Sequence, residues 1–107
     1  MAGTYPSPQA AVQVSVGGTS VLVVPQNLSR SALYVFNPGT VVLWICPVTL
    51  NNGALLAAAI GGAGSIALQP QQGLMFGGPG MPSFINGMNA IAASGVGNPI
   101  TCWEFFP

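Results

Sequence analysis

The chain has 107 residues but only two formally charged side chains, Arg30 and Glu104, with no Lys and no His. An average soluble domain carries about 25% charged residues, against 2% here. One Arg cannot displace counterions from phosphates, which excludes nucleic-acid binding. Carboxylate pairs, His-based triads and carboxylate calcium cages have no residues to build them either.

The length fits one domain around one core. The 15 glycines and 10 prolines lie between short β-rich runs, and half the chain is apolar. Disordered segments are poor in apolar residues, so the pattern predicts an all-β sandwich or barrel instead.

Residues 1–11 read as an extended, Pro-bearing arm carrying Tyr5-Pro6-Ser7-Pro8, and the sandwich domain is expected over 12–107. The arm is either a frayed terminus or a segment that docks on a neighbouring subunit. MAGTYPSPQA has neither a basic n-region nor an apolar h-region, so a reducing cytoplasm is expected. Cys46 and Cys102 then read as two buried apolar residues rather than a disulfide. Two Cys without His do not make a zinc site.

Val12-Gln13-Val14-Ser15-Val16 alternates apolar and polar residues as a half-buried strand does. Gly17-Gly18 follows, then a strand over Ser20–Val24 that ends at Pro25. The apolar runs Leu33–Phe36 and Val41–Cys46 flank Asn37-Pro38-Gly39-Thr40. That turn chemistry predicts a hairpin at the centre of the fold, with Gly39 suited to a positive φ and both strands buried on two sides or covered by a neighbour.

From Gly53 to Gly64 there is only Gly, Ala, Leu and Ile. The run is too short and too Gly-rich for a membrane-spanning helix. A helix capped by Asn51 or Asn52 would be apolar all round, and a membrane-active, fusion-peptide-like segment would have a similar composition. The preferred reading is a long loop buried against another subunit.

Further strands are expected at Ser65–Leu68, Leu74–Phe76 and Met88–Ala93. Asn86-Gly87 predicts a two-residue hairpin between Phe84-Ile85 and Met88. Ile100–Phe106 closes the domain, for about eight strands in an antiparallel sandwich of jelly-roll-like form. Trp44, Trp103, Phe105 and Phe106 lie in apolar strands and are expected in the core, with an exposed carbohydrate platform as the alternative.

Gly61-Gly62-Ala63-Gly64-Ser65 lacks the Lys and the strand-to-helix context of a phosphate loop. Asn27-Leu28-Ser29 matches a glycosylation acceptor, which means nothing without secretion. No constellation supports catalysis, and no cofactor, metal or small-molecule substrate is expected.

The order of elements resembles a group of small tailed-phage virion proteins. The matching positions are Asn27 with Arg30, Asn37, Leu68 with Pro70, Phe76, Ala90–Gly95 and Glu104, within residues 12–106. The resemblance implies a β-sandwich module of the virion, either head decoration or cement, or part of a tail or fibre. The apolar Gly53–Gly64 stretch and the scarcity of charge depart from a module that projects into water, and they point to a subunit packed among neighbours.

The expected function is therefore a capsid cement subunit on the virion surface, assembled in the host cytoplasm. Its expected partners are the major capsid protein and further copies of itself, as a trimer, with no nucleic acid or membrane involved. A tail or fibre module that binds a host surface glycan is the alternative, and a carrier of a membrane-active segment is the third reading. Arg30 and Glu104 are expected to pair. Tyr5, Leu55, Leu56, Ile60, Phe105 and Phe106 are expected at subunit contacts.

Overall fold

Short β-branched and apolar runs between Gly, Pro and Asn breakers become eight strands among the described residues. The computed structural model describes residues 8–50, 52–78, 80–93 and 97–107, with side chains from Val14 onward. The strands are β1 (Pro8–Val16), β2 (Val21–Val24), β3 (Ala32–Phe36), β4 (Leu43–Cys46), β5 (Ile66–Leu68), β6 (Gly73–Gly77), β7 (Met88–Ala92) and β8 (Asn98–Phe105). There is no helix among the described residues. The first strand begins at Pro8, which pairs with Phe105, so residues 8–11 belong to the sheet.

Two antiparallel four-stranded sheets result, in the orders β1-β8-β3-β6 and β2-β7-β4-β5. The pairs β1·β8, β2·β7, β3·β6 and β4·β5 set the first half of the chain against the second. The chain is thus one long hairpin, bent at the β4–β5 connection and rolled until β8 lies between β1 and β3. That is the connectivity of a jelly roll. Every other connection changes sheets.

Register places the connections at two ends. Val16 faces Asn98 and Phe36 faces Thr101, so the β1–β2, β3–β4, β5–β6 and β7–β8 connections share one end. Ala32 faces both Phe105 and Gly77, so the β2–β3, β4–β5 and β6–β7 connections share the other.

The core between the sheets is aliphatic. Leu33, Val35 and Ile100 of one sheet and Leu43, Ile45 and Leu68 of the other are all fully buried. No aromatic side chain is among the fully buried residues described; Phe76 and Phe84 pack at the margin. The expectation that Trp44, Trp103, Phe105 and Phe106 lie in the core is corrected, because all four are half-buried. Inward positions along β8 fall to Ile100 and Cys102, which turns Trp103 to the other face.

The expected central hairpin is also corrected. β3 and β4 belong to different sheets, and Asn37-Pro38-Gly39-Thr40 is a corner between them. The fully buried Asn37 amide donates to the carbonyls of Val41 (2.8 Å) and Leu68 (3.0 Å), and its Oδ1 accepts from Gly39 N (3.0 Å). Leu68 is in the second sheet, so the side chain bends the strand end across the sandwich. Gly39 does not take a positive φ.

Asn86-Gly87 likewise makes no hairpin, since Phe84 and Ile85 belong to no strand. Gly87 is needed for close approach: a Cβ there would stand 2.8 Å from Leu55 Cδ1 and 3.0 Å from Val24 O. The Gly53–Gly64 segment is loop, and it lies within the β4–β5 connection.

Candidate functional site

Asn27 opens the β2–β3 connection with its side chain, whose Oδ1 accepts from Ser29 N at 3.0 Å. Arg30 N then bonds to Asn27 O at 3.2 Å, and this turn delivers the guanidinium into the end of the sandwich. Arg30 Nη1 donates to Glu104 Oε1 at 2.8 Å and to Pro25 O at 3.3 Å. Nε donates to Phe84 O at 3.0 Å, and Nη2 donates to Asn86 O. The guanidinium carbon also stands 5.7 Å from the centre of the Phe84 ring.

The expected Arg30–Glu104 pair is therefore present, and it is internal, with side-chain exposures of 0% and 13%. A charge taken out of water requires partners on all sides. One cation here ties β8 to both the β2–β3 and the β6–β7 connections. Asn86 Nδ2 extends the network to Pro47 O, at the start of the β4–β5 connection, at 3.0 Å.

Every connection at this end carries a large exposed apolar side chain. Leu28 in β2–β3 is 75% exposed, Leu50 in β4–β5 42% and Met81 in β6–β7 64%. Among the described residues, none of the large exposed apolar side chains lies in a connection at the opposite end. That end presents Asn37, Gln71 and Gln72 to its turns instead. The two ends of the domain thus differ in chemistry, and the apolar one stands on the buried ion pair.

The Gly53–Gly64 loop folds back over the second sheet. Asn89 Nδ2 donates to Leu56 O (2.9 Å), Leu56 N to Val48 O (2.9 Å) and Ala58 N to Ser20 Oγ (2.9 Å). Leu55 and Leu56 are half-buried against their own chain, whereas Ile60 is 51% exposed. Phe105 and Phe106 are half-buried at the Arg30 end, and Tyr5 lies outside the described residues. Of the expected contact residues that are described, Ile60 is the one openly exposed.

The outer face of the β1-β8-β3-β6 sheet carries a row in which Trp103, Tyr34 and Met75 are neighbours across three strands. The Tyr34 and Trp103 rings are 5.5 Å apart, tilted at 41°. A Cβ on Gly73 would collide with the Tyr34 ring, so the ring lies down over the β6 backbone.

Sequence reasoning missed Leu28, Leu50, Met81, Tyr34 and Met75. Leu28 had a usable signal, because a Leu between Asn27 and Ser29 in a turn has no core to enter. Tyr34 and Met75 lacked one, since their outward direction depends on strand register.

Burial is the main cause that pushes the Cys102 thiol up to about 12; Glu104 reinforces the shift and Arg30 opposes it. Cys46 and Cys102 are both buried free thiols. Among the described residues there is no group of three or more metal-ligating side chains, and no helix is long and apolar enough to cross a membrane. No protein-family model matches the chain, and no curated protein matches it.

Proposed function

We propose that this chain is a structural subunit of a tailed-phage virion, a capsid cement protein that bridges neighbouring major capsid proteins and acts as a homo-oligomer, with a trimer as the expected form. The observation that supports the reading is the use of charge. Both charged side chains are consumed in one internal pair, and the exterior is left neutral. A freely soluble domain draws on surface charge to stay apart from its neighbours. A subunit held among other subunits has no such need.

The apolar end offers the contact. Leu28, Leu50 and Met81 project from connections that the Arg30 network braces, and apolar anchors on a rigid base lose little conformational entropy on docking. Virion particles assembled without the subunit should take it up from solution. The folded double variant Leu28→Glu/Met81→Glu should not bind them. Normal decoration by that variant would refute the assignment of this end.

A second reading, a tail or fibre module that binds a glycan, draws on the half-exposed Tyr34–Trp103 pair. Sugar platforms also need hydrogen-bonding groups beside the ring. Here Met75 and Gly73 flank Tyr34 on β6, which favours a protein neighbour.

A further inference from the structure

Among the described residues, no connection folds over the broad outer face of the β1-β8-β3-β6 sheet, in contrast to the opposite sheet, over which the 53–64 loop folds. Its centre is the Trp103–Tyr34–Met75 row, bordered on β3 and β8 by Phe36 and Thr101. Met75 is 39% exposed, and Tyr34, Phe36 and Trp103 are half-buried. The Tyr34 ring lies over the β6 backbone at Gly73.

We propose that this face is a docking surface for a second copy of the same chain. Charge selects the occupant. Typical protein surfaces are rich in charged residues, about one residue in four across a whole chain. Each charge pressed against this face would lose its water and meet no counter-charge, at a large cost. The sequence of a second copy offers only Arg30 and Glu104, and both are already committed to an internal pair. Another copy is therefore a partner whose whole exterior matches the neutrality of this face.

Size is sufficient. The domain is a slab of 43 × 32 × 18 Å, so its broad faces have room for the roughly 800 Å² per partner of a standard interface. A two-fold pair sets this face against itself, while a closed ring sets it against a different neutral surface of the next copy. The occupant is the same in both. This face gives the homo-oligomer proposed above its contact surface, and it rests on that part of the reading alone, not on the place in a virion.

The test is sedimentation of the purified full chain over a wide concentration range. The wild type should run as a dimer or a closed ring. Trp103→Lys and Met75→Lys should run as folded monomers, with circular dichroism of the wild-type shape. Thr40→Lys, an exposed change at the opposite-chemistry end, should leave assembly intact. Trp103 fluorescence in a Trp44→Phe chain gives an independent reading: it should shift to the red on dilution as the face meets water. A wild type that stays monomeric throughout, lysine variants that assemble normally, or Trp103 emission that ignores dilution would each overturn the proposal.

Discussion

Arg30 Nη1 lies 2.8 Å from Glu104 Oε1, joining residues 74 apart in sequence, and the same guanidinium holds three backbone carbonyls from two separate connections. The pair is thus more than an ion pair. It is the point where the end of β8, the β2–β3 connection and the β6–β7 connection are fixed to one another.

Removing one member leaves the other charge in the interior without its counter-charge. Glu104→Ala or Arg30→Ala should cost about 3–5 kcal/mol in denaturant unfolding. Arg30→Lys should recover little, because one ammonium cannot reach Phe84 O, Asn86 O, Pro25 O and the carboxylate together. The double change Arg30→Met/Glu104→Met removes both charges but strands the carbonyls, so it should restore stability only in part. Full recovery in the double variant would show that the carbonyl bonds contribute nothing.

Strand positions were legible in the sequence, because β-branched runs between Gly, Pro and Asn specify where a strand can form. Strand partners were not. Asn37-Pro38-Gly39 carries the same local chemistry in a hairpin and in a sheet-to-sheet corner, and the distant carbonyl of Leu68 decides between them. The Asn86-Gly87 signal failed for a related reason: the carbonyls of Phe84 and Asn86 are taken by Arg30, not by a paired strand. Along β8 the face followed from the ion pair. Glu104 turns inward to meet Arg30, and period-two alternation then puts Trp103 outside. The ion pair thus inverts the usual apolar-in assignment along the end of β8.

Asn37 supplies a second test at the other end. Asn37→Ala deprives Val41 O and Leu68 O of their donor inside the protein and should cost about 1–3 kcal/mol. Asn37→Asp should be at least as damaging. A carboxylate has no donor to offer those two carbonyls. Thermal unfolding of the two variants compares them directly, and a stable Asp variant would contradict the corner described here.

The Cys102 thiol gives a pH signature. Burial first, and the Glu104 charge second, raise it from about 9 to about 12 in the folded chain. A raised thiol means the folded state holds its proton longer than the unfolded state does. Its stabilising contribution is therefore complete below about pH 9 and is lost as pH rises toward 12. Cys102→Ala should flatten that alkaline limb of the stability profile. At neutral pH both Cys46 and Cys102 should resist alkylation in the folded chain and react after denaturation without reductant. Rapid labelling of folded Cys102 would contradict its burial.

The β4–β5 loop separates folding from assembly. Leu55 Cδ1 packs beside Gly87, so Leu55→Asp should lower the unfolding midpoint clearly. Ile60 is 51% exposed, so Ile60→Asp should leave the unfolding free energy within about 0.5 kcal/mol of the wild type. Any loss of particle binding by Ile60→Asp then reports on a contact. Equal destabilisation by the two changes would mean that the loop packs differently.

On the function proposed above, the neutral exterior belongs to a subunit packed among other subunits of a capsid. Copy number tests it most directly. Quantitative mass spectrometry of purified virions, normalised to the major capsid protein, should find this chain in a fixed ratio to that protein, at hundreds of copies per particle. A few copies per particle, or none in particles made by cells that express the chain, would contradict the account.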